Sequence, residues 1–139
     1  MKEKLFLGLA VVLVLIVGCR RRPPEMPEPV GTDPFHVTGA NFESAVLQSN
    51  KPVLVDFFAT WCGPCKDMEP IVRQLAADFE GRAVVGKLDT DQNVALSRQF
   101  RIKSIPTFLV FKNGREVDRI SRTQPKWVLA EMLEKQIGE

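Results

Sequence analysis

Residues 53–70 read VLVDFFATWCGPCKDMEP and join two kinds of pattern. Its first part lies in a run, Pro52 to Ala59, that is apolar apart from Asp56. A strand with one wet face alternates; an unbroken apolar run suits a strand covered on both faces, in the middle of a mixed or parallel sheet. After Cys65 the period changes. Met68, Ile71, Val72, Leu75, Ala76 and Phe79 recur at spacings of three and four, which predicts a helix that ends at Gly81 and kinks at Pro70. Between strand and helix sit Cys62 and Cys65, two residues apart.

Upstream, Phe35-His36-Val37 alternates as a short strand and Asn41 to Ser49 carries a short helical pattern. Downstream, Ala83 to Leu88 is a second apolar run, Val94 to Phe100 a short helix and Thr107 to Phe111 a third strong strand. Asn113-Gly114 marks a hairpin, because both residues tolerate positive φ, and Glu116 to Ile120 returns from it. Pro125 opens a last helix with Val128, Leu129, Met132, Leu133 and Ile137 as its buried stripe. The order β-α-β-α-β-α-β-β-α predicts an α/β domain over residues 35–139, a three-layer α/β/α sandwich with a central mixed sheet.

The position of the cysteines carries chemistry. A helix N-terminus presents unpaired N–H groups and partial positive charge, so a thiolate there is stabilised and its pKa falls. Cys62, ahead of the helix, is expected to be an exposed attacker on foreign disulfides. Cys65, in the first turn, is expected to be the shielded sulfur that resolves the mixed disulfide. Two other uses of such a pair are half a zinc site and a purely structural bridge. Zinc wants four ligands, and only His36 and the distant Cys19 remain. A bridge across so tight a loop stores strain.

The N-terminal segment reads differently. Residues 5–18, LFLGLAVVLVLIVG, are fourteen uncharged positions preceded by Lys2 and Lys4. A spanning helix needs about twenty apolar residues, and this length suits a signal peptide over residues 1–18. Its end, Ile16-Val17-Gly18-Cys19, resembles a bacterial lipobox, which implies cleavage before Cys19, lipid on its sulfur and a domain outside the cytoplasmic membrane, in the periplasm or at the cell surface. Arg20, Arg21 and Arg22 favour the alternative of an uncleaved anchor with a cytoplasmic domain. Residues 19–34 are rich in proline and read as an extended tether.

Composition narrows the function further. Of 139 residues, 45% are hydrophobic and 26% charged, which excludes wholesale disorder and a disulfide-rich miniprotein. The net charge of +2 hides a split: residues 1–22 hold five basic and one acidic residue, and the remainder is net acidic. The body lacks the electrostatic footprint of a nucleic-acid binder. The acidic run from Asp89 fails as a calcium loop, with Val94 where glycine is needed and Phe100 where glutamate is needed. No phosphate-binding loop or nicotinamide fingerprint is present, so electrons must come from a separate partner.

VLVDFFATWCGPCKDMEP, followed in order by KLDTDQN and IPTFLVFKNG, resembles the thioredoxin family over nearly all of residues 35–139. The resemblance implies the thioredoxin fold, dithiol–disulfide exchange with protein disulfides, a separate electron-donor protein, no cofactor beyond a Cys62–Cys65 disulfide, and no metal. A monomer is expected. Cys62 matches the family nucleophile and Cys65 the resolving cysteine. Asp56 matches a buried acid that takes the Cys65 proton, and Lys87 a lysine that helps set its ionisation. Gly63-Pro64 is the dipeptide of reducing members and implies a reductant; the alternatives are a net thiol oxidant or isomerase outside the membrane, or a binding or chaperone module that uses the same groove without turnover. Trp61, Ile105 and Pro106 match the substrate-binding surface, with Pro106 as a cis-proline. One pair departs from the family: Ser121-Arg122 stands where Val-Gly is usual, which implies an altered substrate choice or an added preference for acidic partners through Arg122.

Overall fold

Strand β2 (Val53–Phe58) pairs on both sides, and that is why its run is unbroken. The computed structural model describes residues 33–138. The expected signal peptide, Cys19 and nearly all of the tether lie outside the described residues. Within them the elements are β1 (Phe35–His36), a short π-helix (Glu43–Leu47), β2, α1 (Gly63–Asp78), β3 (Val84–Asp89), α2 (Val94–Gln99), β4 (Thr107–Lys112), β5 (Arg115–Ser121) and α3 (Lys126–Ile137). The five strands form one sheet in the order β1-β3-β2-β4-β5. β1 and β2 run parallel to β3; β4 is antiparallel to β2 and β5 to β4. The mixed sheet is therefore as expected, and so is the order of elements.

Alternate residues of β2 and β4 face opposite layers. Leu54, Phe108 and Val110 pack with Met68, Val72 and Leu75 of α1 and with Leu129 and Leu133 of α3. Val53, Val55, Phe57, Leu109 and Phe111 pack on the other side with Phe42, Val46 and Leu88. That second layer is thin, because α2 has no fully buried residue. Aromatic contact thickens it: Phe100, at the end of α2, stands 5.2 Å from both Phe42 and Phe111 between ring centroids.

Two local features differ from expectation. The helix after Cys65 ends at Asp78, and Gly81 takes positive φ in the turn that follows. The upstream helix is one π-type segment in which the Gln48 N–H reaches back to the Glu43 carbonyl. The hairpin matches expectation, with φ of 51° at Asn113 and 76° at Gly114. Gly86 is required for another reason: a Cβ there would lie 2.7 Å from Val37 Cγ2. The edge strand β1 can approach β3 only over a residue with no side chain.

Candidate active site

The end of β2 delivers the chain, through Ala59-Thr60-Trp61, to the N-terminus of α1. Cys62 is the N-cap residue, with extended backbone (φ −81°, ψ 110°). Its sulfur takes the place of the usual serine or aspartate oxygen and accepts the Cys65 N–H at 3.2 Å. Gly63 and Pro64 follow as the first helical residues, where the missing proline N–H costs nothing. The two sulfurs are joined as a disulfide, with Cα atoms 5.2 Å apart. When the bridge opens, a thiolate on Cys62 keeps that N–H donor and the partial positive charge of the helix end.

The expected contrast of exposed and shielded cysteines does not hold. Cys62 is 4% exposed and Cys65 3%. Both are enclosed in a small apolar cluster with Ala59, against which Phe58 and Ile105 pack. The difference between them lies in their neighbours. Cys62 Sγ is 3.9 Å from the Ile105 carbonyl oxygen, whereas Cys65 lines a cleft of about 370 Å3 that it shares with Asp56, Lys66, Glu69 and Lys87.

Asp56 stands on β2 with Lys87 beside it in register on β3 and Phe108 on β4. It is 4% exposed, and its Oδ1 has no hydrogen-bond partner among the described residues. Burial is the main force on this carboxyl, raising its pKa from 3.8 to about 7; Lys87 pulls it down and Glu69 pushes it up. Lys87 is thus near the acid, as expected, but its ammonium pairs with Glu69 Oε1 at 3.2 Å and lies 4.5 Å over the Phe58 ring. Glu69 escaped the sequence reading. Its signal was present: it lies four residues after Cys65 in α1, hence on the same helix face and over the same cleft.

Beyond the dithiol, the Ile105–Pro106 peptide bond is cis. Trp61 is 69% exposed, which excludes core packing, and its indole N–H donates to Asp91 Oδ2 at 2.7 Å. The loop after β5 returns to the same place, where the Arg122 N–H donates to the Pro106 carbonyl at 2.8 Å. Arg122 has φ of 72°, a conformation that glycine adopts freely and arginine does not. No group of three or more His, Cys, Asp or Glu among the described residues could hold a metal.

A dithiol capping a helix, with a buried carboxyl opening into the same cleft as its second sulfur, defines a thiol–disulfide exchange protein. Comparison with known proteins makes the class specific. The thioredoxin family model matches residues 33–135. The thioredoxin of Chlorobaculum thiosulfatiphilum is 44% identical over 104 residues, covering 75% of this chain and 96% of that protein. The thioredoxin of Staphylococcus aureus is 48% identical over 101 residues, covering 73% and 95%. Among solved structures, a mutant thioredoxin from Halobacterium salinarum NRC-1 superposes with a TM-score of 0.70 at 34% identity, over 76% of this chain and 92% of that one. The chain belongs to the thioredoxin family. It is a thioredoxin-like disulfide reductase that works through a redox-active Cys62–Cys65 disulfide with no cofactor, on protein disulfides, and it is recharged by a reductant partner.

Proposed function

We propose that the chain is a membrane-tethered protein-disulfide reductase in which Cys62 attacks, Cys65 resolves and Asp56 moves the proton. The Cys62 thiolate attacks one sulfur of a client disulfide; the other client sulfur leaves as thiolate and a mixed disulfide forms. The Asp56 carboxylate takes the proton of Cys65, whose thiolate attacks Cys62 Sγ. The second client thiolate departs, and the Cys62–Cys65 bridge closes. The client gains two electrons and two protons, and a donor dithiol returns them to the bridge. The observation that carries these roles is the division of neighbours: Cys62 meets the Ile105 carbonyl, and Cys65 meets the Asp56 cleft. Lys87 and Glu69 act on Asp56 through its charge. Trp61, Ile105 and Pro106 receive the client backbone.

The tether is read from the sequence. Fourteen uncharged residues, the Gly18-Cys19 junction and the proline-rich spacer support lipid attachment at Cys19 and a domain held outside the cytoplasmic membrane. The arginines at 20–22 favour a second reading, an uncleaved anchor with the domain in the cytoplasm. Mass spectrometry of the mature protein separates them: a diacylated or triacylated Cys19 at the N-terminus supports the first, an intact Met1 the second. For the chemistry, insulin reduction by the wild type should vanish in Cys62→Ser. Equal activity in the two would refute the mechanism. A titrated potential near that of strong disulfide oxidants would reverse the net direction to oxidation.

A further inference from the structure

The charge of the domain is divided along its length. Residues 33–97 carry five basic and nine acidic side chains, and residues 98–122 carry seven basic and two acidic. The basic part runs from the end of α2 through β5 and so contains Ile105–Pro106. A cleft of about 360 Å3 opens there, lined by Arg101, Lys103, Ser104, Thr107, Arg119 and Ser121. Ser104 and Thr107 flank the Ile105–Pro106 pair, whose first carbonyl lies 3.9 Å from Cys62 Sγ. The cleft therefore begins where a captured client must lie.

Its cations are of two kinds. Arg119 is committed, with Nη2 bonded to Glu116 Oε2 at 2.8 Å and to the Phe100 carbonyl at 2.9 Å. Arg101, Lys103 and Arg122 are exposed. Among the described residues none of the three has a carboxylate within 4.0 Å, and none of their side chains makes a hydrogen bond.

The backbone adds an independent observation. Arg101 has φ of 53° just past α2, where its N–H bonds to the Arg98 carbonyl and the Ile102 N–H to the Ser97 carbonyl. Glycine usually closes a helix in this way. Arg122 has φ of 72° and is tied to Pro106. The only other non-glycine residue with positive φ among those described is Asn113, an ordinary hairpin residue. Two backbone positions that suit glycine thus carry guanidinium groups, one on each side of Ile105–Pro106 in the chain. Both side chains are exposed, and neither makes a hydrogen bond or an ion pair among the described residues.

We propose that Arg101, Lys103 and Arg122 form a cationic rim that binds an acidic segment next to the client's disulfide and makes the reductase prefer acidic clients. This rests on the reading that Cys62 captures the client disulfide against Ile105. A protein segment fits better than a nucleic acid, because the cleft has no aromatic side chain for a base to stack on and the rest of the domain is acidic. Exposed charges of this kind act on encounter and register, and so on kcat/KM and its salt dependence.

The test uses the full chain and three synthetic peptides. Each holds one intramolecular disulfide and differs only in flanking residues: Asp and Glu, Ser, or Lys. At low salt the acidic peptide should be reduced with a kcat/KM about three- to tenfold above the serine peptide, and the lysine peptide should fall below it. The preference should fade in about 0.5 M salt. Arg101→Gln with Lys103→Glu should abolish or reverse it, and Lys103→Arg should keep it. Arg115→Gln, at the far end of β5, should leave it in place. The acidic-to-serine ratio is internal to each variant, so a fall in the folded fraction cannot imitate the effect. Equal rates on the three peptides, or a preference indifferent to the rim variants, would overturn the rim alone. Inability of the wild type to reduce any peptide would overturn the reductase reading beneath it. Competition by an oligonucleotide but not by a disulfide-free acidic peptide would also overturn the rim as a client site.

Discussion

The two sides of the dithiol handle charge in opposite ways. On the Cys65 side, Asp56 is buried between strands, and Lys87 and Glu69 pair at the mouth of its cleft. On the Ile105 side, Arg101, Lys103 and Arg122 stand in solvent without carboxylate partners among the described residues. Burial changes what a group is: the Asp56 carboxyl, which would ionise at 3.8 in water, holds its proton to about 7. An exposed charge acts on what approaches it. On the proposed reading, one side serves proton transfer and the other recognition.

The comparison breaks hardest at the resolving sulfur. Cys65→Ser should stop turnover and leave a stable mixed disulfide between Cys62 and the client, visible on a non-reducing gel; turnover without such an adduct would place the resolving thiol elsewhere. Asp56→Asn comes next. It should slow the resolving step at pH 7 by about 100-fold or more, the range for losing a positioned base. A stopped-flow rate within a factor of about two of wild type would remove that role.

Asp56 also ties stability to pH. The carboxyl loses its proton near 3.8 when unfolded and at about 7 when folded, so between these values the folded chain holds the extra proton. This contribution to stability is full below 3.8 and falls by roughly 4 kcal/mol in all as pH rises from there through 7. Denaturant melts of the oxidised protein from pH 4 to 8 should show that decline, and Asp56→Asn should flatten it.

The pair at the cleft mouth should act with opposite signs. Glu69→Gln removes the charge that pushes Asp56 up, so the resolving rate should rise with pH at lower values than in wild type. Lys87→Met removes the charge that pulls it down, so the rise should move to higher pH. At pH 7, where Asp56 is about half ionised, Glu69→Gln should gain no more than about twofold and Lys87→Met should fall below wild type by a larger factor. Profiles that move the same way would separate both residues from Asp56.

The smallest effect belongs to the other side. Arg122→Gly relieves a left-handed backbone and should stabilise the domain by about 1 kcal/mol, while lowering the preference for acidic peptides. A stabilised variant with its preference intact would confine the rim to Arg101 and Lys103.

Much of this was legible in the chain because it is local. The unbroken run around Asp56 announced a strand buried on both faces, and Val55, Phe57 and Phe58 announced a buried acid. Cys62 and Cys65 announced themselves by spacing and by the helix pattern after them. The exposure of Cys62 was not legible, since Ile105, forty-three residues away, helps to enclose it. Glu69 was missed because a surface glutamate in a helix is ordinary until β3 brings Lys87 beneath it.

The order of elements, the hairpin at Asn113-Gly114 and the redox pair are local properties of the chain, because each follows from periodicity, φ preference or spacing within a few residues. Tertiary structure decided which charges meet. The parallel register of β2 and β3 sets Lys87 beside Asp56, the packing of α1 on the sheet lowers Glu69 onto that pair, and the return of β5 carries Arg122 to Pro106. Such meetings depend on distances between segments far apart in the chain, and electrostatic interaction is set by distance and burial.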